Sequence, residues 1–151
     1  MLKRVVLSLV LLTTVCVADA HAGFNLAVSV GEGFGIRDKH VYRTPFNLEI
    51  IPAYKIWWLK LDLGLLTDLD KKVNFTLRPG FRFGPSFIYL RGAAHLRLTR
   101  GFDPGFLVGI GTSFLPLWII RFFAEIDTFL TRDGDFKSVP IEFRLGVEFG
   151  F

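Results

Sequence analysis

Asp38 and His40 stand two residues apart in a polar stretch, and Glu125 and Asp127 stand two apart in an alternating one. A carboxylate beside an imidazole, or two carboxylates on one face of a strand, is the equipment of general acid–base chemistry. His95 lies among arginines, between Arg91 and Arg97. Each has a plainer reading. His40 reads as a solvated loop residue and His95 as a member of a polar network. Glu125 and Asp127 read as charge partners for Arg78, Arg91 or Arg97. There is no phosphate-binding glycine loop and no metal-ligand cluster. No catalytic residue, cofactor or metal is therefore expected.

The elements that position these groups begin after a leader. The chain opens MLKRVVLSLVLLTTVCVADAHA, with Lys3 and Arg4 before an apolar run from Val5 to Val17. Ala18-Asp19-Ala20 or Ala20-His21-Ala22 then supplies a small-x-small cleavage pattern. This predicts a secretory signal peptide over residues 1–22 and one domain over 23–151. The apolar run is too short to cross about 30 Å of hydrocarbon comfortably. Cys16, the one cysteine, belongs to the leader, so the rest of the chain has no disulfide or thiolate site. The formal charge is +4, or +3 once Lys3, Arg4 and Asp19 are removed. That balance, without a basic run, does not point to nucleic acid.

From residue 23 onward apolar residues alternate with polar or small ones, the period of a strand with two different faces. Eight segments are expected, at about 24–36, 44–54, 57–67, 73–83, 87–98, 105–114, 117–129 and 139–151, within a few residues at each end. The segment 73–83 shows the pattern: Val73, Phe75, Leu77, Pro79, Phe81 and Phe83 share one face, with Arg78 and Arg82 on the other. Across all segments the polar face carries Glu49, Lys60, Asp62, Arg78, Arg82, Arg91, His95, Arg97, Arg121, Glu125, Asp127, Glu142, Arg144 and Glu148. Glycines such as Gly64, Gly80, Gly109, Gly111 and Gly146 lie among them, with room for small water pockets.

Alternation does not say which face is inside. A soluble lipocalin-like barrel buries the apolar face, whereas a membrane barrel buries the polar one. Nearly balanced charges interspersed with glycine suit a packed polar lumen, because an unpaired buried charge is costly. The connections also alternate in length. Inner turns are expected near 55–56, 84–86 and 115–116, and longer outer loops near 37–43, 68–72, 99–104 and 130–138. Trp57, Trp58 and Trp118 all fall beside the inner turns, where an aromatic girdle is expected. Tyr54, Phe87 and Tyr89 lie near the same level, and Tyr42, Phe102, Phe129 and Phe136 are candidates for the other girdle. Pro52 and Pro79 remove ladder donors and are expected near rims or bulges. The fold predicted is all-β: an eight-stranded antiparallel up-and-down transmembrane β-barrel, following a cleaved signal peptide.

The last segment, IEFRLGVEFGF, places Phe143, Leu145, Val147, Phe149 and Phe151 on one face. It resembles the carboxy-terminal assembly signal of Gram-negative outer-membrane proteins, and residues 23–151 resemble the small eight-stranded barrels of the OmpA/OmpX type. The resemblance implies an outer-membrane location in a Gram-negative bacterium and recognition by the barrel-assembly machinery. It implies contact with outer-membrane lipid and lipopolysaccharide, and a monomer is expected. The peptidoglycan-binding domain of OmpA-like chains is not expected here, and the short loops do not suggest the long protruding hairpins of OmpX-like ones. Some small outer-membrane barrels modify lipid A, using a histidine, aspartate and serine set or a His-x-Ser pair. Here His40 is followed by Val41-Tyr42 and His95 by Leu96-Arg97, which matches neither.

The expected role is structural or one of surface interaction. A lipid-A-modifying enzyme, a narrow pore and a soluble lipocalin-like binder are the alternatives. The stretch Arg37-Asp38-Lys39-His40-Val41-Tyr42-Arg43 is the most basic of the outer loops. Its cations either pair with lipopolysaccharide phosphates or are ordinary loop charge.

Overall fold

The computed structural model describes residues 23–37, 39–69, 73–85, 87–99, 103–131 and 139–151. The leader lies outside these residues, as do Asp38, Phe102 and Phe136. β-Branched and aromatic residues at period two favour extended backbone. The strands are β1 (Gly23–Arg37), β2 (His40–Arg43), β3 (Asn47–Ile56), β4 (Leu59–Asp68), β5 (Phe75–Phe83), β6 (Tyr89–Arg97), β7 (Asp103–Leu117), β8 (Ile120–Thr131) and β9 (Val139–Gly150). Neighbours from β3 to β9 pair in sequence order, and β9 pairs back onto β1. β2 and β3 lie end to end along the same edge of β1, so the sheet closes as an eight-stranded antiparallel barrel. Closure satisfies the backbone without leaving an edge, which hydrocarbon would not tolerate.

The apolar face points outward. Phe81 is 48% exposed and its neighbour Arg82 only 3%. The same alternation repeats around the barrel, with Leu61, Leu63 and Leu65 outside and Asp62 inside. A lipocalin-like barrel requires the reverse, so that alternative is overturned. Among the described residues, Ala27, Ile51 and Phe123 form a small buried apolar cluster in the interior.

Both ends of the barrel chain meet at one rim. The Phe151 N–H donates to the Phe24 carbonyl at 2.9 Å, and their rings lie 6.2 Å apart. Two hairpin turns at this rim come about two residues later than the sequence suggested. Pairing continues through Ile56↔Leu59 and Leu117↔Ile120, leaving Trp57-Trp58 and Trp118-Ile119 as the turns. Ladder bonds extend until the tightest hairpin connection remains. The tryptophans are thus turn residues, and Trp118 is 99% exposed. Trp57 and Trp118 have φ of 56° and 54°, a region that favours glycine.

At the opposite rim, β1 runs to Arg37 and pairs with β2 from His40 to Arg43, so strand pairing extends into the stretch expected as a loop. The chain from Arg43 to Asn47 takes four steps where β1 takes three, from Phe34 to Gly31. This is a β-bulge, and one added residue exchanges inward and outward faces. Thr44 anchors it, its N–H donating to the Gly33 carbonyl at 2.9 Å.

Pro52 and Pro79 are not at rims. Both flank Leu63 in mid-strand, and Leu63 is the register partner of Pro79. The β3–β4 register resumes unshifted from Ile50↔Leu65 to Ala53↔Asp62, and the β5–β6 register from Leu77↔Leu96 to Gly80↔Ala93. The barrel keeps its register across the missing donors because the adjoining strands hold it on both sides.

Candidate functional site

Strand parity carries charged side chains into the barrel from several directions, and they meet around Glu49 of β3. Glu49 is fully buried and takes three arginines from three other strands. Arg91 of β6 donates to it at 2.7 Å, Arg144 of β9 lies at 2.9 Å and Arg78 of β5 at 3.5 Å. Arg91 also reaches Glu125 at 3.1 Å and Asp127 at 3.7 Å. Arg144 reaches Glu142 at 3.0 Å and Asp127 at 3.4 Å, and its Nη1 donates to the Ser29 hydroxyl at 3.3 Å. Arg78 continues the network to Glu142 at 3.3 Å. Charges taken out of water demand such pairing, since each alone would cost several kcal/mol.

Toward the rim of the chain ends a second group surrounds Arg82. Its Nε lies 3.2 Å from both Asp62 and Glu125. Its guanidinium lies over the rings of Tyr89 and Phe123, 5.5 and 5.3 Å from their centroids. Lys60 pairs with Glu148 at 2.6 Å. Asp62 accepts no hydrogen bond with either oxygen, so its contact with Arg82 is one of charge rather than of aligned donors. Arg97 and Arg121 are half-buried near the ends of β6 and β8, on the inward parity of His95 and Glu125 respectively, with Arg121 the register partner of Glu148.

Glycines provide room for the larger groups. A Cβ on Gly64 would lie 2.0 Å from Glu49 Oε1, and one on Gly109 1.9 Å from Asp127 Oδ1. Small glycines opposite large charged side chains are the packing solution inside a barrel this narrow. The pocket between Lys60, Arg82 and Tyr89 is about 10 Å³, room for roughly one water.

The acid–base candidates inside the barrel, His95, Glu125 and Asp127, are all engaged. His95 accepts at Nδ1 from Arg78 Nε at 3.1 Å and stacks on Phe129, with 4.6 Å between centroids. Glu125 and Asp127 are held by the arginines already described. His40 is exposed on β2, and Asp38 lies outside the described residues.

Two aromatic expectations are corrected. Phe129 belongs to no girdle, since it stacks on His95 inside. Tyr89 is also inside, donating its hydroxyl to Glu125 at 2.8 Å. Both share parity with lumen charges, Phe129 with Asp127 and Tyr89 with Arg91, and that parity is the signal that identifies them. Phe123 and Asn47 were missed in the same way. Tyr42 lies over Gly35, on the inward-facing side of the β1–β2 hairpin. The bulge makes simple counting fail there. Phe143, Leu145 and Phe151 face outward and exposed, with Val147 and Phe149 half-buried beside them.

No family model matches the chain, and no curated protein matches it in sequence. Solved structures do. The crystal structure of Neisserial surface protein A has 14% identity and a TM-score of 0.63, over 87% of this chain and 99% of that one. A de novo designed barrel, TMB2.3, solved by NMR, has 10% identity and a TM-score of 0.54, over 86% and 95%. Another structure, from the de novo design of transmembrane β-barrels, has 14% identity and a TM-score of 0.50, over 84% and 95%. At these identities the likeness is one of fold. The chain has the eight-stranded antiparallel fold of small transmembrane β-barrels.

Proposed function

We propose that the chain is a monomeric outer-membrane barrel of a Gram-negative bacterium, acting as a closed structural or surface-interaction element rather than as an enzyme or pore. The observation that carries this reading is the convergence of Arg78, Arg91 and Arg144 on Glu49. A lumen crossed by interlocked charged side chains offers no continuous water path, and its carboxylates and imidazole are committed to partners. The outward belt of leucine, valine and phenylalanine supports residence in lipid. The rim of chain ends and two-residue turns faces the periplasm in this reading, with Trp57, Trp58 and Trp118 at the interface. The outward row Phe143, Leu145, Val147, Phe149 and Phe151 serves the assembly machinery during biogenesis.

The test is heat modifiability of the protein in an outer-membrane fraction, followed by planar-bilayer recording on the purified barrel. A compact band that shifts on boiling, without conductance steps, is expected. A soluble periplasmic protein would refute the location, and stable unitary steps would refute the closed lumen. Lipid A mass spectra with and without the protein should be the same. A change in acyl pattern would restore the enzyme reading.

A further inference from the structure

The outward face carries one feature that a lipid-facing belt does not need. Glu32 of β1 and Arg43 of β2 form an ion pair there, Arg43 Nε donating to a Glu32 carboxylate oxygen. Strict alternation from Asn47 and Glu49 would turn Arg43 inward. The bulge at Thr44–Phe46 reverses the parity and directs it outward, opposite Phe34. Charged residues on a barrel's lipid face are destabilising in a depth-dependent way and cost least near the interfaces, so an ionic pair turned outward by a backbone irregularity fits a rim position. Glu32 stands eight residues above Phe24. At about 3.3 Å per residue and a tilt near 40° that is roughly 20 Å, close to the far edge of an apolar band about 25 Å tall.

A groove of about 860 Å³ leads away from this pair across the outer surface. Its lining includes a row of register neighbours, Val30, Leu145, Ala124 and Thr112, on β1, β9, β8 and β7. The next row toward the Arg43 rim, Phe143 and Ile126, forms a wall. Because strands in a barrel are tilted, such a row runs obliquely from one rim toward the other. Ala124 and Thr112 are small beside their bulky neighbours, which is what makes the row a furrow. At about 4.8 Å per strand, the four-residue row is roughly 14 Å long.

We propose that this groove binds one lipid A molecule of the outer leaflet, with a phosphate on Arg43 and an acyl chain along the furrow. This rests on the outer-membrane reading above, with the Arg43 rim facing outward. Charge complementarity favours that occupant. Glu32 pins the guanidinium through Nε, yet the Arg43 side chain is 77% exposed. A guanidinium has five donors, enough to serve a carboxylate and a phosphate together. Lys39 and His40, exposed on the same hairpin, add basic groups at the same rim.

The test is native mass spectrometry of the full barrel in detergent, titrated with lipid A, dephosphorylated lipid A, phosphatidylglycerol and phosphatidylethanolamine. One lipid A per barrel is expected. Arg43→Gln should weaken it by about five- to tenfold, the loss of one well-placed cation. Ala124→Phe, and independently Thr112→Phe, should block the furrow and weaken it to a similar extent. Dephosphorylated lipid A should bind the wild type as weakly as lipid A binds Arg43→Gln. Equal binding by Arg43→Gln and both furrow variants would overturn the site, and a preference for either phospholipid would overturn the assigned occupant. Gel heat modifiability of each protein separates the two levels. A wild type that never migrates as a compact barrel refutes the membrane reading itself, whereas a folded wild type indifferent to these substitutions refutes only the site.

Discussion

Arg91 Nη2 on β6 donates to Glu49 Oε1 on β3 across the barrel interior at 2.7 Å, tying together strands separated by two others. Arg144 and Arg78 bind the same carboxylate from β9 and β5. One side chain thus links four strands, and much of the packing of the interior depends on it.

Removing that carboxylate leaves three buried cations short of a partner. Glu49→Ala should lower the unfolding free energy in lipid vesicles by about 3–5 kcal/mol, the usual cost of breaking a buried ionic group by truncation. Urea titration followed by tryptophan fluorescence reads it. An unchanged midpoint would mean that water already screens the arginines.

Gly109 faces Asp127 with no room for a methyl group. Gly109→Ala should therefore cost on the order of 1–3 kcal/mol through overpacking. The temperature at which the compact gel band converts to the unfolded one should fall. A variant as heat-resistant as wild type would show that Asp127 has another place to go.

Leu63 faces outward in the middle of β4 and is 41% exposed. Leu63→Arg should cost about 2–4 kcal/mol in a bilayer, while Lys39→Gln on the exposed rim should change stability little. Equal effects would contradict a lipid-facing position for Leu63.

Trp118 projects fully from its turn despite a positive φ that glycine would adopt with less strain. Interfacial anchoring supplies a reason to keep an indole there. With Trp57→Phe and Trp58→Phe, Trp118 is the remaining tryptophan, and its fluorescence should be quenched most by lipids brominated near the headgroup. Maximal quenching by bromines deep in the acyl chains would remove it from the interface.

Much of this arrangement was legible in the chain. Hydrophobic alternation is local, because period two follows from the pleat itself. It located the eight crossings and assigned Arg78, Arg91 and Glu125 to one face and Phe81 and Leu61 to the other. The same parity contained Tyr89 and Phe129, but their aromatic character suggested a girdle in place of the interior. Exact turn positions were less legible, since ladder bonds continue through Ile56 and Leu117 as far as the backbone allows.

By itself, then, the sequence determined the strands, their two faces and the inventory of charges that must be paired. Tertiary structure alone decided which charges meet, because the approach of Glu49 to Arg78, Arg91 and Arg144 depends on barrel closure and register between strands distant in sequence. It also decided that Arg43 faces outward. That orientation arises from one extra residue opposite β1, and an insertion in a ladder exists only relative to the strand it pairs with.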